Sequence, residues 1–146
     1  MLICLNTVAP QSADERETME QCIARLANGD AAAMEPLYSI ANAAVYAFAL
    51  SILKNRHDAE EAAQDCFVKA YAGAGTYKPQ GKPMAWLITI TRNICTERQI
   101  VVLHAVGGIK HRETARLMGM TLTAVLSKYS RAIKKLKANI MQTEGI

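Results

Sequence analysis

The chain has few aromatic residues and few helix breakers. Only 5% of its 146 residues are Phe, Trp or Tyr, and it holds four Pro and eight Gly spread over its length. No segment reads as a strand in preference to a helix, so no strand is expected. Also missing are a CxxC pair and zinc-finger Cys/His spacing among Cys4, Cys22, Cys66 and Cys95. Cys22 with His57 is a weak metal pair, and no metal or cofactor is expected. No run of 18 apolar residues is present, which predicts no membrane insertion. "MLICLNTVAP" lacks the basic leader of a signal peptide. No nucleophile–base pair, phosphate-binding glycine loop or metal cluster can be assembled, so no catalytic residue is assigned and an enzyme is the least favoured class.

What is present is helical. Apolar residues make up 51% of the chain, with Ala, Leu and Ile dominant, enough for one ordinary domain or two small ones. Cys66 and Cys95 fall in apolar helical patterns, as reduced thiols of a cytoplasmic protein would. Charge is uneven. Residues 1–98 hold 9 Lys+Arg against 11 Asp+Glu, whereas residues 99–146 hold 8 against 2. A basic final third points to a polyanionic partner or to a solvated lysine face.

Helical spacing begins at about Arg16 and runs to Leu26. "ANGD" interrupts it, with Asp30 placed to cap the next helix. That helix, to about Lys54, sets Leu37, Ile40, Ala41, Ala44, Val45, Phe48, Ile52 and Leu53 on one stripe. Asp58 and Glu61 read as a capping pair for a third helix. Its inner face is Ala59, Ala62, Ala63, Cys66, Phe67 and Ala70, and its outer face Glu60, Glu61, Gln64 and Asp65. Residues 73–82 form a Gly- and Pro-rich loop. Pro83 suits the first position of a fourth helix, which directs Trp86, Leu87, Ile90 and Ile94 inward. The pattern restarts at Gln99 as a short helix stopped by Gly107 and Gly108.

The last two segments carry a recognisable spacing. Ala115 sits where crossing helices need a small side chain. Gly119 lies in the turn four residues on, and Val125 packs back six residues later. That is helix-turn-helix spacing, with Thr121 able to cap the second helix. Its outward residues are Thr123, Ala124, Ser127, Lys128, Ser130, Arg131, Lys134 and Lys135. Small polar groups at the start can approach base edges, and cations further along can hold phosphates. An ordinary antiparallel helix pair is the bland reading of the same pattern.

In order along the chain, "AEEAAQDCFVKAYAGAGTYKPQGKPMAWLITITRN" resembles the second conserved region of bacterial sigma factors, closest to the extracytoplasmic-function group. "ERQIVVLHAVGGIKHRETARLMGMTLTAVLSKYSRAIKKL" resembles that group's fourth region. The resemblance spans about residues 20–140. It implies an all-α fold of two small domains, residues 1–96 and 97–146. It implies binding to core RNA polymerase, at the β′ clamp helices through Glu61, Gln64 and Asp65, and at the β flap. It implies reading of a −10 element by Tyr77, Lys78, Lys82, Arg92 and Asn93. Trp86 is expected in the core rather than as a base platform. The −35 element would meet Thr121, Thr123, Ala124, Ser127, Lys128, Ser130, Arg131, Lys134 and Lys135. An anti-sigma factor is the implied inhibitor.

Two departures stand out. Leu126 occupies a position that is usually basic in the family. The flexible linker between the family's domains also has no counterpart, because "RNICTERQIVV" passes from one pattern to the next. The two promoter elements lie roughly 17 base pairs, or about 58 Å, apart, whereas Asn93 to Gln99 reaches about 20 Å fully extended. Linker residues absent from this sequence near Thr96–Glu97 would reconcile the two. The alternatives are a stand-alone helix-turn-helix regulator, which needs neither the acidic face nor the Tyr-Lys-Pro loop, and a polymerase-binding adaptor, which does not need the basic third.

Overall fold

The computed structural model describes residues 17–79 and 81–144. The readings on "MLICLNTVAP", Cys4 and Arg16 lie outside them. All described elements are helical.

Helix α1 spans Met19–Ala27. A capping box starts it: Thr18 Oγ1 accepts the Gln21 N–H at 3.2 Å, and Gln21 Oε1 accepts the Thr18 N–H at 2.8 Å. These bonds satisfy two donors that a helix start leaves open. Asp30 caps as expected, its Oδ1 accepting the Ala32 N–H at 3.1 Å. It opens a 3₁₀ turn, Ala31–Ala33, ahead of α2, Met34–Leu53.

Helix α2 buries Leu37, Ala41, Val45 and Ala49. The stripe is therefore rotated from the expected one, since Ile40 and Ala44 are exposed. Between Glu35 and Lys54 the helix carries no charge, so its periodicity cannot select a face. Ala31–Leu53 is also long and apolar enough to cross a membrane by length and composition, with a mean hydropathy of 1.5. Glu35, Ser39, Asn42 and Ser51 interrupt it, so no run of 18 apolar residues is present, and α2 packs against α1, α3 and α4.

Lys54 ends α2 in the left-handed region, at φ 54°. Asn55 then caps α3, Arg56–Gly73, its Oδ1 accepting the Asp58 N–H at 3.0 Å. The expected Asp58–Glu61 cap is thus displaced, because α3 starts earlier and Asp58 lies in its first turn. All six expected inner residues of α3 are buried. The 3₁₀ turn Ala74–Thr76 leads to α4, which begins at Pro83.

Helix α4 runs unbroken from Pro83 to Val101. Neither a stop near Cys95 nor a fresh start at Gln99 occurs, and Thr96 and Glu97 lie mid-helix. It ends in a π turn, Val102–Val106, that Gly107 closes with its N–H donating to the Val102 carbonyl at 3.0 Å. A Cβ on Gly107 would stand 2.8 Å from the Leu103 carbonyl oxygen, so a glycine is required there.

Helices α5, His111–Met118, and α6, Leu122–Glu144, form the last pair. Gly119 turns between them at φ 65°, where glycine carries no Cβ penalty. Thr121 Oγ1 accepts the Ala124 N–H at 3.1 Å. Ala115 and Val125 are buried with Ile100 of α4 in a small apolar cluster. The larger core joins α1 to α4 around Ile23, Leu37, Val45, Phe67 and Leu87.

Candidate nucleic-acid interface

The outer face of α3 is set by its spacing. Residues buried every third or fourth position leave Glu60, Glu61, Gln64 and Asp65 exposed on the opposite side. All three of these acids are engaged within the chain, Glu60 by Arg56 at 3.5 Å and the other two by one arginine. Arg98, on α4, reaches Glu61 Oε2 through Nη1 at 3.1 Å and Asp65 Oδ2 through Nη2 at 3.0 Å. Its hydrogen bond holds the Glu61 carboxyl below the usual carboxylate range. His57 lies 3.2 Å from the other Glu61 oxygen. Sequence periodicity gave no sign of Arg98, because it lies in a polar stretch that read as a break between helices.

The 73–82 loop and the first turns of α4 enclose a cleft of about 320 Å³. Tyr77 and Trp86 form its aromatic walls, with ring centroids 4.9 Å apart. Lys78 and Lys82 also line it, together with Ala85, Thr76 and Thr89. The Tyr77 hydroxyl donates to Glu20 of α1, which ties the loop to the core. Trp86 packs on that core as expected, yet its ring also faces the cleft, so it serves both surfaces. The two threonine hydroxyls donate to backbone carbonyls, Thr76 to Gly73 at 2.7 Å and Thr89 to Ala85 at 2.8 Å. Arg92 and Asn93, further along α4, are exposed.

Thr121, just before α6, and Thr123, Ser127, Ser130, Arg131 and Lys134 on it are exposed, whereas Ala124 and Lys128 are half-buried. Leu126, Ser127, Ser130 and Arg131 line a shallow groove, so the apolar Leu126 stands on the face expected to meet DNA. Lys135 is directed elsewhere: its Nζ lies 3.5 Å from the buried Glu97 carboxylate of α4. This contact draws Lys135 away from the other cations of the ridge. Lys69 of α3 shares the site. Burial and the neighbouring Lys135 push its ammonium below the usual lysine range.

The sequence pattern of sigma-70 region 2 matches residues 37–99, and that of sigma-70 region 4 matches residues 96–136. Together they take in well over half of the chain, in the order its motifs imply. The chain belongs to the sigma-70 family. Among curated relatives, the ECF RNA polymerase sigma factor SigK of Mycobacterium sp. strain KMS is 30% identical over 81 residues, covering 55% of this chain and 42% of the relative. SigK of Mycobacterium sp. strain JLS matches with the same figures. The chain thus spans less than half the length of the curated relatives it matches. The solved complex of CnrH with the cytosolic domain of CnrY shares the fold at a TM-score of 0.50, with 24% identity over 86% of this chain and 99% of that one. The RsbN–BldN complex is 26% identical, with a TM-score of 0.46, over 80% and 97% of the two chains.

Proposed function

We propose that the chain is a promoter-specificity subunit that binds core RNA polymerase and directs initiation by reading −10 and −35 elements. The observation that carries this reading is the order of three surfaces on one chain. An acidic and amide face on α3 comes first, then an aromatic-walled cleft flanked by lysines, then a helix-turn-helix with an exposed basic ridge.

Each surface has a role that its chemistry suits. Glu61, Gln64 and Asp65 offer carboxylates and an amide to a basic helical partner, the β′ clamp helices of polymerase. The β flap is the partner of the second module. Tyr77 and Trp86 offer ring faces to an unpaired −10 base, and Lys78, Lys82, Arg92 and Asn93 hold the strand around it. Unstacking costs a few kcal/mol per base, and stacking on aromatic side chains returns about 1–3 kcal/mol, so opening needs no nucleotide hydrolysis by this chain. Thr121, Thr123, Ala124, Ser127 and Ser130 approach the −35 bases or backbone, while Lys128, Arg131, Lys134 and, once free of Glu97, Lys135 neutralise phosphates.

The two modules are residues 1–96 and 97–146, with their boundary inside α4. Bond-forming chemistry belongs to polymerase, and the chain acts beside it in the cytoplasm. An anti-sigma factor that covers the same faces holds it inactive. Association tests the proposal: the purified chain should co-elute with core polymerase in the absence of any inhibitor. A folded chain that elutes alone would place the helix-turn-helix in a different kind of regulator.

A further inference from the structure

Arg98 does to the α3 face what a polymerase cation would do. One guanidinium nitrogen takes a Glu61 oxygen and another takes an Asp65 oxygen, at 3.1 and 3.0 Å, and its side chain is only 30% exposed. The residue before it, Glu97, holds Lys135 of α6. Two consecutive residues of one helix therefore join three elements: Arg98 ties α4 to α3, and Glu97 ties α4 to the basic helix of the second module. Helix α4 has no break at this point, so both attachments are made from one rigid rod.

This joint limits what the DNA-facing residues can reach. Arg92 lies five residues along α4 from Glu97, and Arg131 lies four residues along α6 from Lys135. At 1.5 Å per helical residue, and with the side-chain lengths added, the Glu97–Lys135 contact keeps Arg92 and Arg131 within about 30 Å. Promoter elements roughly 17 base pairs apart are separated by about 58 Å. With the joint made, Arg92 and Arg131 cannot each contact their own element at once.

We propose that Arg98 is an internal latch. It masks the polymerase-docking carboxylates Glu61 and Asp65 while Glu97 and Lys135 keep the helix-turn-helix against the first module. This proposal rests on the reading of α3 as the docking face. A basic helix arriving on α3 competes for the carboxylates that Arg98 holds. Docking frees Arg98, loosens the end of α4 and lets the second module swing away with Lys135 restored to its DNA-facing ridge. Polymerase binding and promoter reach are then coupled through one side chain.

Partly exposed ion pairs contribute about 0.2–1 kcal/mol each, and a factor of ten corresponds to 1.4 kcal/mol, so releasing both pairs amounts to about twofold to thirtyfold in affinity. Arg98→Gln should therefore bind core polymerase about twofold to thirtyfold tighter than the parent chain, with its helical circular dichroism retained. Asp65→Asn, measured in parallel, should bind more weakly. If Arg98→Gln binds no tighter while Asp65→Asn binds more weakly, the face docks polymerase and the latch is refuted. If Asp65→Asn binds as well as the parent, the docking face itself is misplaced and the latch falls with it. A second readout does not rest on affinity. Carbodiimide should join Lys135 to Glu97 in the free chain, and saturating core polymerase should suppress that cross-link. Persistence of the cross-link in the complex would overturn the proposal.

Discussion

The imidazoles of His104 and His111 stack face to face, with ring centroids 3.9 Å apart and planes 17° from parallel, and Tyr129 packs against both. His104 comes from the π turn, His111 from the first position of α5 and Tyr129 from α6, so the stack pins all three parts of the second module. His104 Nδ1 lies 2.9 Å from the Ile109 carbonyl. A carbonyl only accepts, which assigns the Nδ1 proton to His104.

Protonation works against this stack. Burial, and secondarily the neighbouring His104, hold His111 below its ordinary value of 6.5. The unfolded chain therefore takes up the proton first, so stability is full above about pH 6.5 and declines as pH falls below it. The urea midpoint of the full chain should be lower at about pH 5 than at about pH 8. His111→Gln should flatten that dependence. An unchanged slope in the variant would show that the stack does not couple to folding.

Among the described residues, Val125 anchors the helix-turn-helix in a cluster with two other buried residues, Ile100 and Ala115. Val125→Ala removes two methyl groups from a fully buried site and should destabilise the second module by about 2 kcal/mol. The exposed neighbour serves as control, since Leu126→Ala should change stability by less than about 0.5 kcal/mol. Denaturant unfolding followed at Tyr129 tests both.

Tyr77 is the aromatic wall of the cleft that a loop, rather than a helix, carries. Tyr77→Ala should weaken binding of a single-stranded −10 oligonucleotide by about 1–3 kcal/mol. Tyr77→Phe keeps the ring and loses the bond to Glu20, so it should bind close to the parent chain. Fluorescence anisotropy separates the two. Equal losses would make the role of Tyr77 structural.

Arg131 is exposed in the shallow groove of α6. Arg131→Ala should weaken −35 duplex binding and reduce the slope of log affinity against log salt by about 1, as expected for one phosphate contact. A titration across salt concentrations checks this, and an unaltered slope would take Arg131 off the phosphates.

The parts of the fold that read directly from sequence share a physical cause. On α3, small apolar residues recur at helical spacing opposite charged ones, so both the buried face and the exposed acidic face were legible. Ala115, Gly119 and Val125 each have a steric requirement that their residue type states openly. Helix α2 defeated the same reading because it is apolar on all sides, and Ala49 went unnoticed while Ile40 and Ala44 were turned inward. Asn55 was missed as a cap because Asp58 and Glu61 formed a competing pattern three residues on. The joint in α4 was the largest loss. Glu97 and Arg98 look like a polar break, and only their partners far along the chain, Lys135, Glu61 and Asp65, explain why the helix continues through them. Stacking of His104 on His111 across a π turn left no periodic trace either.

Run-off transcription tests the central claim most directly. Core RNA polymerase supplemented with the purified chain should yield discrete transcripts from a promoter library, and the templates that respond should share upstream sequence at the −10 and −35 positions. Transcripts no more abundant or specific than those of core enzyme alone, from a chain that is folded and free of inhibitor, would contradict the assignment.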